Sequence, residues 1–272
     1  MAGHDTGPAD SAAAPAGPPR RHDPIREKYF RAVELAERGS SALFYIAGVL
    51  SFAVLLVEKG AHPALSDGTQ IAFIVAVATL FFVDVGIRLY WSSWAADERR
   101  LDLLSYAYSV PLTHDQTTGY YNNNETDPIR KLGVAVLENS HFSRAIALRM
   151  LTRERMQAAV YVVLLLVFSL KRSTDLAFAA TAALVVFSEH ILSRWLRLEW
   201  LRARCDTTYN ALYALFHSLP PRTKLHPQAL QWFAFYETSK SNAAITLSPK
   251  VFQKLNPTLS AEWDAIKKKL TL

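Results

Sequence analysis

Two carboxylates lie inside segments of the chain that are otherwise apolar. Asp84 belongs to the apolar block 71–91 and Glu189 to the block 176–192, each thirteen residues after the first residue of its block. If both blocks are helices that cross a membrane in the same direction, a rise of ~1.5 Å per residue places both acids about 20 Å into it. A carboxylate facing lipid is costly, about 2.5–3.5 kcal/mol at the bilayer centre. Both side chains should therefore face protein or water.

Two interpretations of these acids remain open from the sequence. In one, Asp84 and Glu189 form a polar layer that lines an aqueous path when several subunits assemble, which would favour cations. In the other, the acids pair internally. Arg88 follows Asp84 at the i, i+4 spacing of a helical ion pair, and His190 and Arg194 are candidate partners for Glu189.

A second cluster with chemical potential lies between the apolar blocks. Aromatic rings next to amides and an arginine could hold a nucleotide, whereas Asn and Ser equally suit helix caps and hydrogen bonds between helices. The candidate ligand-sensing or interface residues in this cluster are Tyr120, Tyr121, Asn122, Glu138, Asn139, His141 and Arg144.

Catalytic and metal-binding motifs are absent from the sequence. It contains no glycine-rich phosphate loop, no HExxH and no GxSxG, and its eight histidines are scattered. The single cysteine, Cys205, excludes an intrachain disulfide and a cysteine-rich zinc site. We therefore expect a protein without enzymatic activity, without a metal and without a cofactor.

The elements that must position these residues are four apolar blocks, at 42–57, 71–91, 156–170 and 176–192. Three of them have about 15 to 17 strictly apolar residues, at the short end for a membrane span, although flanking Ser and Thr residues can extend the helices. A large soluble helical bundle is the competing explanation. The first and third blocks are apolar all round rather than on one stripe, which favours lipid.

The basic residues predict the orientation of these blocks. Of 30 Lys and Arg residues, six precede the first block, eight lie between the second and third, and twelve follow the fourth. The two short connections hold only Lys59, Lys171 and Arg172. Because cytoplasmic flanks are enriched in Lys and Arg, both termini and the middle segment should be cytoplasmic.

The sequence thus predicts an all-α membrane protein with four transmembrane helices in two hairpins and helical cytoplasmic extensions. Residues 93–108 should continue the second span, and Asp127 should cap a helix that opens with Pro128. Pro220 and Pro221 should end the helix that follows the fourth span. The expected segments are a disordered leader (1–21), a cytoplasmic amphipathic helix (22–41), the first transmembrane hairpin (42–92), a cytoplasmic helical segment (93–155), the second hairpin (156–192) and a cytoplasmic helical tail (193–272).

Several motifs occur in the order of a known family. After the first hairpin come RRLDLLSYAYSVPL, GYYNNN and ENSHFSRAIALRM, and the tail contains FAFYE and LNPTLSAEW. This arrangement, over residues 27–272, resembles the SMODS-associated four-transmembrane family of bacterial pore-forming effectors. The matching positions are Asp102, Pro111, Gly119, Tyr120, Tyr121, Glu138, Asn139, Phe142, Tyr236 and Glu237.

The resemblance implies a role in antiviral defence, in which a nucleotidyltransferase makes a nucleotide or oligonucleotide signal and the effector breaches the inner membrane. It also implies a homo-oligomer in the lipid bilayer, and it adds Asp102 to the candidate sensing residues. Another possibility is a membrane scaffold that recruits a soluble partner through its cytoplasmic helices.

Overall fold

The computed structural model describes residues 22–57, 60–121, 123–170 and 189–272. Within these ranges the chain is almost entirely helical and has no strand beyond one isolated antiparallel bridge between His22 and Thr118. The prediction of an all-α protein is confirmed for this part of the chain. The predicted leader and nearly all of the fourth apolar block lie outside the described residues.

The N-terminal helix is longer than the sequence suggested. A π-helical turn, Arg26–Phe30, leads without interruption into α1, Arg31–Leu56. The predicted amphipathic helix (22–41) and the predicted first span, which begins at residue 42, belong to this one helix. The structure joins them because Gly39 alone does not stop a helix, and no proline or left-handed residue lies at the boundary.

The second helix continues well beyond its apolar block, as predicted. α2, Pro63–Gly86, opens with proline in its first turn and passes through a π-helical turn, Ile87–Trp91, into α3, Ser92–Tyr108. The continuous helix ends at Ser109, which adopts the left-handed conformation with φ 56°. Because α2 and α3 form one continuous helix, a movement of α3 also moves α2.

Two helices in the described ranges, Arg26–Leu56 and Pro63–Tyr108, are long and apolar enough to cross a membrane. Their side chains face outward to an unusual degree: Val49 is 69% exposed, Leu56 76% and Phe82 71%. Such a surface favours lipid over water, since soluble monomers rarely expose large contiguous apolar patches. We call α1 and α2 the apolar hairpin.

The remaining helices form a second body, which we call the C-terminal bundle. It consists of α3 and four further helices: α4, Pro128–Leu170; α5, Arg194–Ser218, preceded by a π-helical turn at Glu189–Ser193; α6, Arg222–Ala243; and α7, Pro249–Leu270. The predicted break at Pro220 and Pro221 is confirmed. The predicted third span forms the end of α4, where Met156 and Val163 are exposed.

Side-chain caps mark the starts of two helices in this bundle, α4 and α7. The predicted cap at Asp127 is present, with the Arg130 amide donating to Asp127 Oδ1 at 2.9 Å. Ser248 caps α7 by accepting from the Val251 amide at 3.4 Å. α4 packs along α5 and against α6 and α7, and it encloses a core that includes Leu132, Val134, Leu137, Leu212, Phe216 and Trp263.

Candidate functional site

A polar cluster joins three helices at the level of the apolar hairpin. Ser40 on α1 donates a hydrogen bond to Asp84 on α2, and His190, in the π-helical turn before α5, places Nε2 3.0 Å from Asp84 Oδ2. Ser40 Oγ and His190 Nε2 are 3.5 Å apart, and the His190 ring lies against Phe44 at 4.7 Å between centroids. We call Ser40, Asp84 and His190 the Asp84 cluster.

The contacts of this cluster bear on the internal pairs considered from the sequence. His190 contacts Asp84, and Arg194 places Nε 3.3 Å from Glu154 Oε1. Both candidate partners of Glu189 thus contact other acids, and the Glu189 side chain falls outside what the structure describes. Arg88 borders a cavity below the cluster.

This cavity has a volume of about 600 Å³ and lies between the N-terminal helix, α3 and the bundle helices α4, α5, α6 and α7. Its size is that of small-molecule sites, which span ~300–1,000 Å³. Three of the predicted sensing residues, Tyr120, Glu138 and Asn139, line it. Gly119, Phe142 and Tyr236, which belong to the family-like motifs, line it as well. We call it the central cavity.

The wall of the central cavity combines rings with both signs of charge. Phe30, Tyr120, Phe142, Tyr236 and Phe252 supply aromatic surface. The cations are Arg26, Arg88, Arg99 and Lys240, and the carboxylates are Asp23, Glu34, Asp97 and Glu138. Such a wall offers stacking surfaces, donors for anionic groups and acceptors for amino or hydroxyl groups.

Arg99 anchors one side of the cavity. Its Nη2 donates to both carboxylate oxygens of Asp23, at 2.7 and 2.8 Å. The guanidinium lies 4.5 Å from the centroid of the Tyr120 ring and 5.7 Å from that of Phe30. These contacts hold the N-terminal segment, α3 and the loop after α3 together.

Two predicted sensing residues lie in a buried hydrogen-bond network rather than at the cavity wall. Asp102 is only 2% exposed and accepts from the Thr117 amide at 2.9 Å, from Thr117 Oγ1 at 2.8 Å and from the Tyr121 hydroxyl at 3.1 Å. Burial and the neighbouring Asp102 raise the pKa of Tyr121 well above its usual range. For these two residues the arrangement is that of a structural network.

Two others lie on a different face of α4. The guanidinium of Arg144 lies 3.5 Å from the centroid of the Tyr209 ring on α5. His141 Nε2 is 3.3 Å from Glu262 Oε2 on α7, and burial lowers the pKa of His141. The structure thus separates His141 and Arg144 from Tyr120, Glu138 and Asn139, while Asn122 lies outside the described residues.

Several residues of the site escaped the sequence analysis. Ser40 reads as a flanking residue of the first span, and Asp23 and Thr246 belong to no recognisable motif. Thr246 lines the central cavity and donates to Glu37 Oε1 on α1 at 2.9 Å. These residues and their partners are far apart in the sequence, so no local pattern predicts that they meet. Only the packing of the helices brings them together.

Among the described residues, no group of three or more His, Cys, Asp or Glu side chains is placed to hold a metal ion. Comparisons with protein families, curated proteins and solved structures gave no match to this chain.

Proposed function

We propose that this chain is a bacterial inner-membrane effector that forms a pore or ion channel and opens when a cytoplasmic ligand binds in the central cavity. One observation carries the proposal: the cavity and the Asp84 cluster share helices. Phe30 at the cavity wall belongs to the same continuous helix as Ser40, and Arg88 lies one turn beyond Asp84. A ligand in the cavity therefore touches the helices that carry the polar cluster.

The ligand that suits this wall best is a nucleotide or oligonucleotide. Bases stack on aromatic side chains, with ~1–3 kcal/mol per base. Phosphates pair with arginines, and Asn139 and Glu138 can hydrogen-bond a base edge or a ribose hydroxyl. This choice agrees with the family resemblance, in which a nucleotidyltransferase supplies the signal in antiviral defence.

The conducting state in this proposal is a homo-oligomer with four spans per chain and both termini cytoplasmic. The two candidate spans in the described residues and the distribution of basic residues support this topology. Asp84 and Glu189 would form an acidic layer along the path, which favours cations. Ligand binding opens the path only if the ligand binds the open arrangement more tightly than the closed one.

The direct test is leakage from liposomes that contain the purified protein. Release of a trapped dye and potassium flux would be followed while mononucleotides and cyclic di- and trinucleotides are added one at a time. We expect one nucleotide class to trigger release. Asp84→Asn should reduce cation selectivity, because it removes one acid of the proposed layer.

A matched pair of asparagine variants tests the cavity. Asn139→Ala removes an amide at the cavity wall, whereas Asn210→Ala removes an exposed amide on α5. Only Asn139→Ala should weaken nucleotide binding. No leakage with any nucleotide, together with co-purification of a soluble partner, would favour the scaffold instead.

A further inference from the structure

We propose that the loop between α6 and α7, residues 244–248, transmits occupancy of the central cavity to the Asp84 cluster through the hydrogen bond from Thr246 to Glu37. This inference rests on the proposed function and specifies how the site is regulated. The bond joins Thr246 Oγ1 to Glu37 Oε1 at 2.9 Å across 209 residues of sequence.

The loop is short and fixed at both ends. Ala244 ends α6 in the left-handed conformation, with φ 45°, and its amide donates to Lys240 O at 3.1 Å. Ser248 caps α7, and its amide donates to Met150 Sδ at 3.3 Å. Between these ends Ile245 and Leu247 pack against the buried core of the bundle. Displacement of the loop therefore moves Thr246 with it.

The loop is also part of the cavity wall. Ala244, Ile245, Thr246 and Leu247 all line the central cavity. A ligand that fills the cavity must contact this stretch of backbone or the side chains that project from it. Occupancy and loop position are coupled for that reason.

On its other side the loop reaches the Asp84 cluster within one helical turn. Glu37 lies three residues before Ser40 on α1, so both residues lie on the same face of the helix. The partner helix repeats the pattern, because Arg194 lies four residues after His190. Arg194 pairs with Glu154 at 3.3 Å, and its charge attracts the Glu37 carboxylate.

These contacts form two layers one turn apart. The layer near the cavity contains Thr246, Glu37 and Arg194, and the layer beyond it is the Asp84 cluster. The Thr246 hydroxyl holds Glu37 and hence the register of α1, which carries Ser40. When the loop shifts, α1 loses this restraint and Ser40 can move relative to Asp84 and His190.

The test compares Thr246→Val with two controls in full-length protein reconstituted into lipid nanodiscs. Thr246→Val keeps the side-chain shape and removes the hydroxyl, whereas Thr246→Ser keeps the hydroxyl. Thr207→Val makes the same chemical change at an exposed site on α5, where the hydroxyl bonds only its own helix. The probe is N-ethylmaleimide, which reacts with the single cysteine, Cys205, at the cavity wall.

Cys205 is 1% exposed, so its alkylation requires the helices packed around the thiol to move apart. Thr246→Val should accelerate the alkylation about tenfold, the change in an opening equilibrium expected when a hydrogen bond to a carboxylate is lost. Thr246→Ser and Thr207→Val should react at the wild-type rate. Equal rates in all four proteins would overturn the proposal.

Hydrogen–deuterium exchange separates this proposal from the pore function. Thr246→Val should increase exchange in peptides around Ser40 and Asp84 as well as in the loop. Faster exchange confined to residues 244–248 would show that the loop is not coupled to the Asp84 cluster. Neither measurement depends on leakage, so a failed pore assay together with exchange at Ser40 would refute the function and leave the coupling intact.

Discussion

The apolar hairpin and the C-terminal bundle differ in where their apolar side chains point. In the bundle, Phe216 is fully buried and Trp263 is 1% exposed. In the hairpin, Phe82 and Leu56 are largely exposed, although their side chains are as apolar as those buried in the bundle. The comparison shows that the bundle, apart from the exposed end of α4 from Met156 onward, supplies its own core. The hairpin instead exposes an apolar surface that lipid or another chain would remove from water.

The largest effect is expected when one phenylalanine in each region is replaced by alanine. Phe216→Ala should lower the free energy of unfolding of the bundle by ~3–5 kcal/mol, because it leaves a cavity in a packed core. Phe82→Ala should lower the free energy of unfolding by less than ~1 kcal/mol, because the ring faces outward. Denaturant unfolding in detergent, followed by circular dichroism, would measure both. Similar losses would mean that the hairpin is packed as tightly as the bundle.

A smaller effect comes from adding one methyl group in each region. A Cβ at Gly133 on α4 would meet Phe216 Cζ at 3.0 Å and Ala229 Cβ at 3.2 Å, whereas a Cβ at Gly48 on α1 would meet no atom within 4 Å. Gly133→Ala should therefore destabilise the bundle by ~1–3 kcal/mol. Gly48→Ala should be neutral or stabilise α1 by up to ~1 kcal/mol, since alanine favours helix.

Thermal unfolding of both glycine variants in the same detergent would measure these two changes in stability. The two variants carry the same chemical change, so their opposite signs would isolate packing from helix propensity. A stabilising Gly133→Ala would contradict the close approach of α4 to Phe216.

The helix starts of the two regions give a third contrast. α4 begins with a side-chain cap at Asp127, which also contacts His226 Nε2 at 3.1 Å, whereas α2 begins after His62 without a side-chain cap. Asp127→Ala should cost ~1 kcal/mol, and His62→Ala should cost nothing measurable. Urea unfolding curves at pH 7.5 would compare the two. An equal cost would show that the cap does not stabilise α4.

The smallest effect concerns acidification of the bundle. Because burial lowers the pKa of His141, the unfolded chain binds a proton there more readily than the folded one. The stabilisation from neutral His141 is complete above the unfolded pKa of ~6.5 and is lost as the pH falls below it. His141→Gln should therefore reduce the loss of stability between pH 7.5 and 5.5, as measured by urea unfolding at the two pH values.

Replacement of an exposed histidine provides the control for that measurement. His217→Gln makes the same chemical change at an exposed imidazole on α5 and serves as the matched substitution. A pH profile altered equally by both substitutions would contradict a special role for the buried imidazole.

Local chemistry explains which structural predictions succeeded. The cap at Asp127, the break at Pro220 and the continuation of α2 into α3 depend on neighbouring residues alone, and the structure confirms them. The predicted cytoplasmic helix at 22–41 is continuous with the first apolar block in the structure. Hydrophobicity changes there without any residue that stops a helix.

The candidate sites were harder to predict. Tyr120, Glu138 and Asn139 line one cavity, but their neighbours Tyr121 and His141 do not. On α4, Asn139 and His141 are two residues apart and therefore point to different sides of the helix. The three cavity-lining residues lie in the stretch of chain that the sequence indicated, between Tyr120 and Arg144. The direction in which each side chain points determines whether it reaches the cavity.

The sequence by itself determined the helical class of the described residues, the apolar character of α1 and α2, and the positions of caps and breaks, because each depends on residues within a few turns. Only the tertiary structure brought Ser40 and His190 to Asp84 and Thr246 to Glu37. Those contacts join segments up to 209 residues apart. Their formation depends on how whole helices pack, which no local pattern encodes.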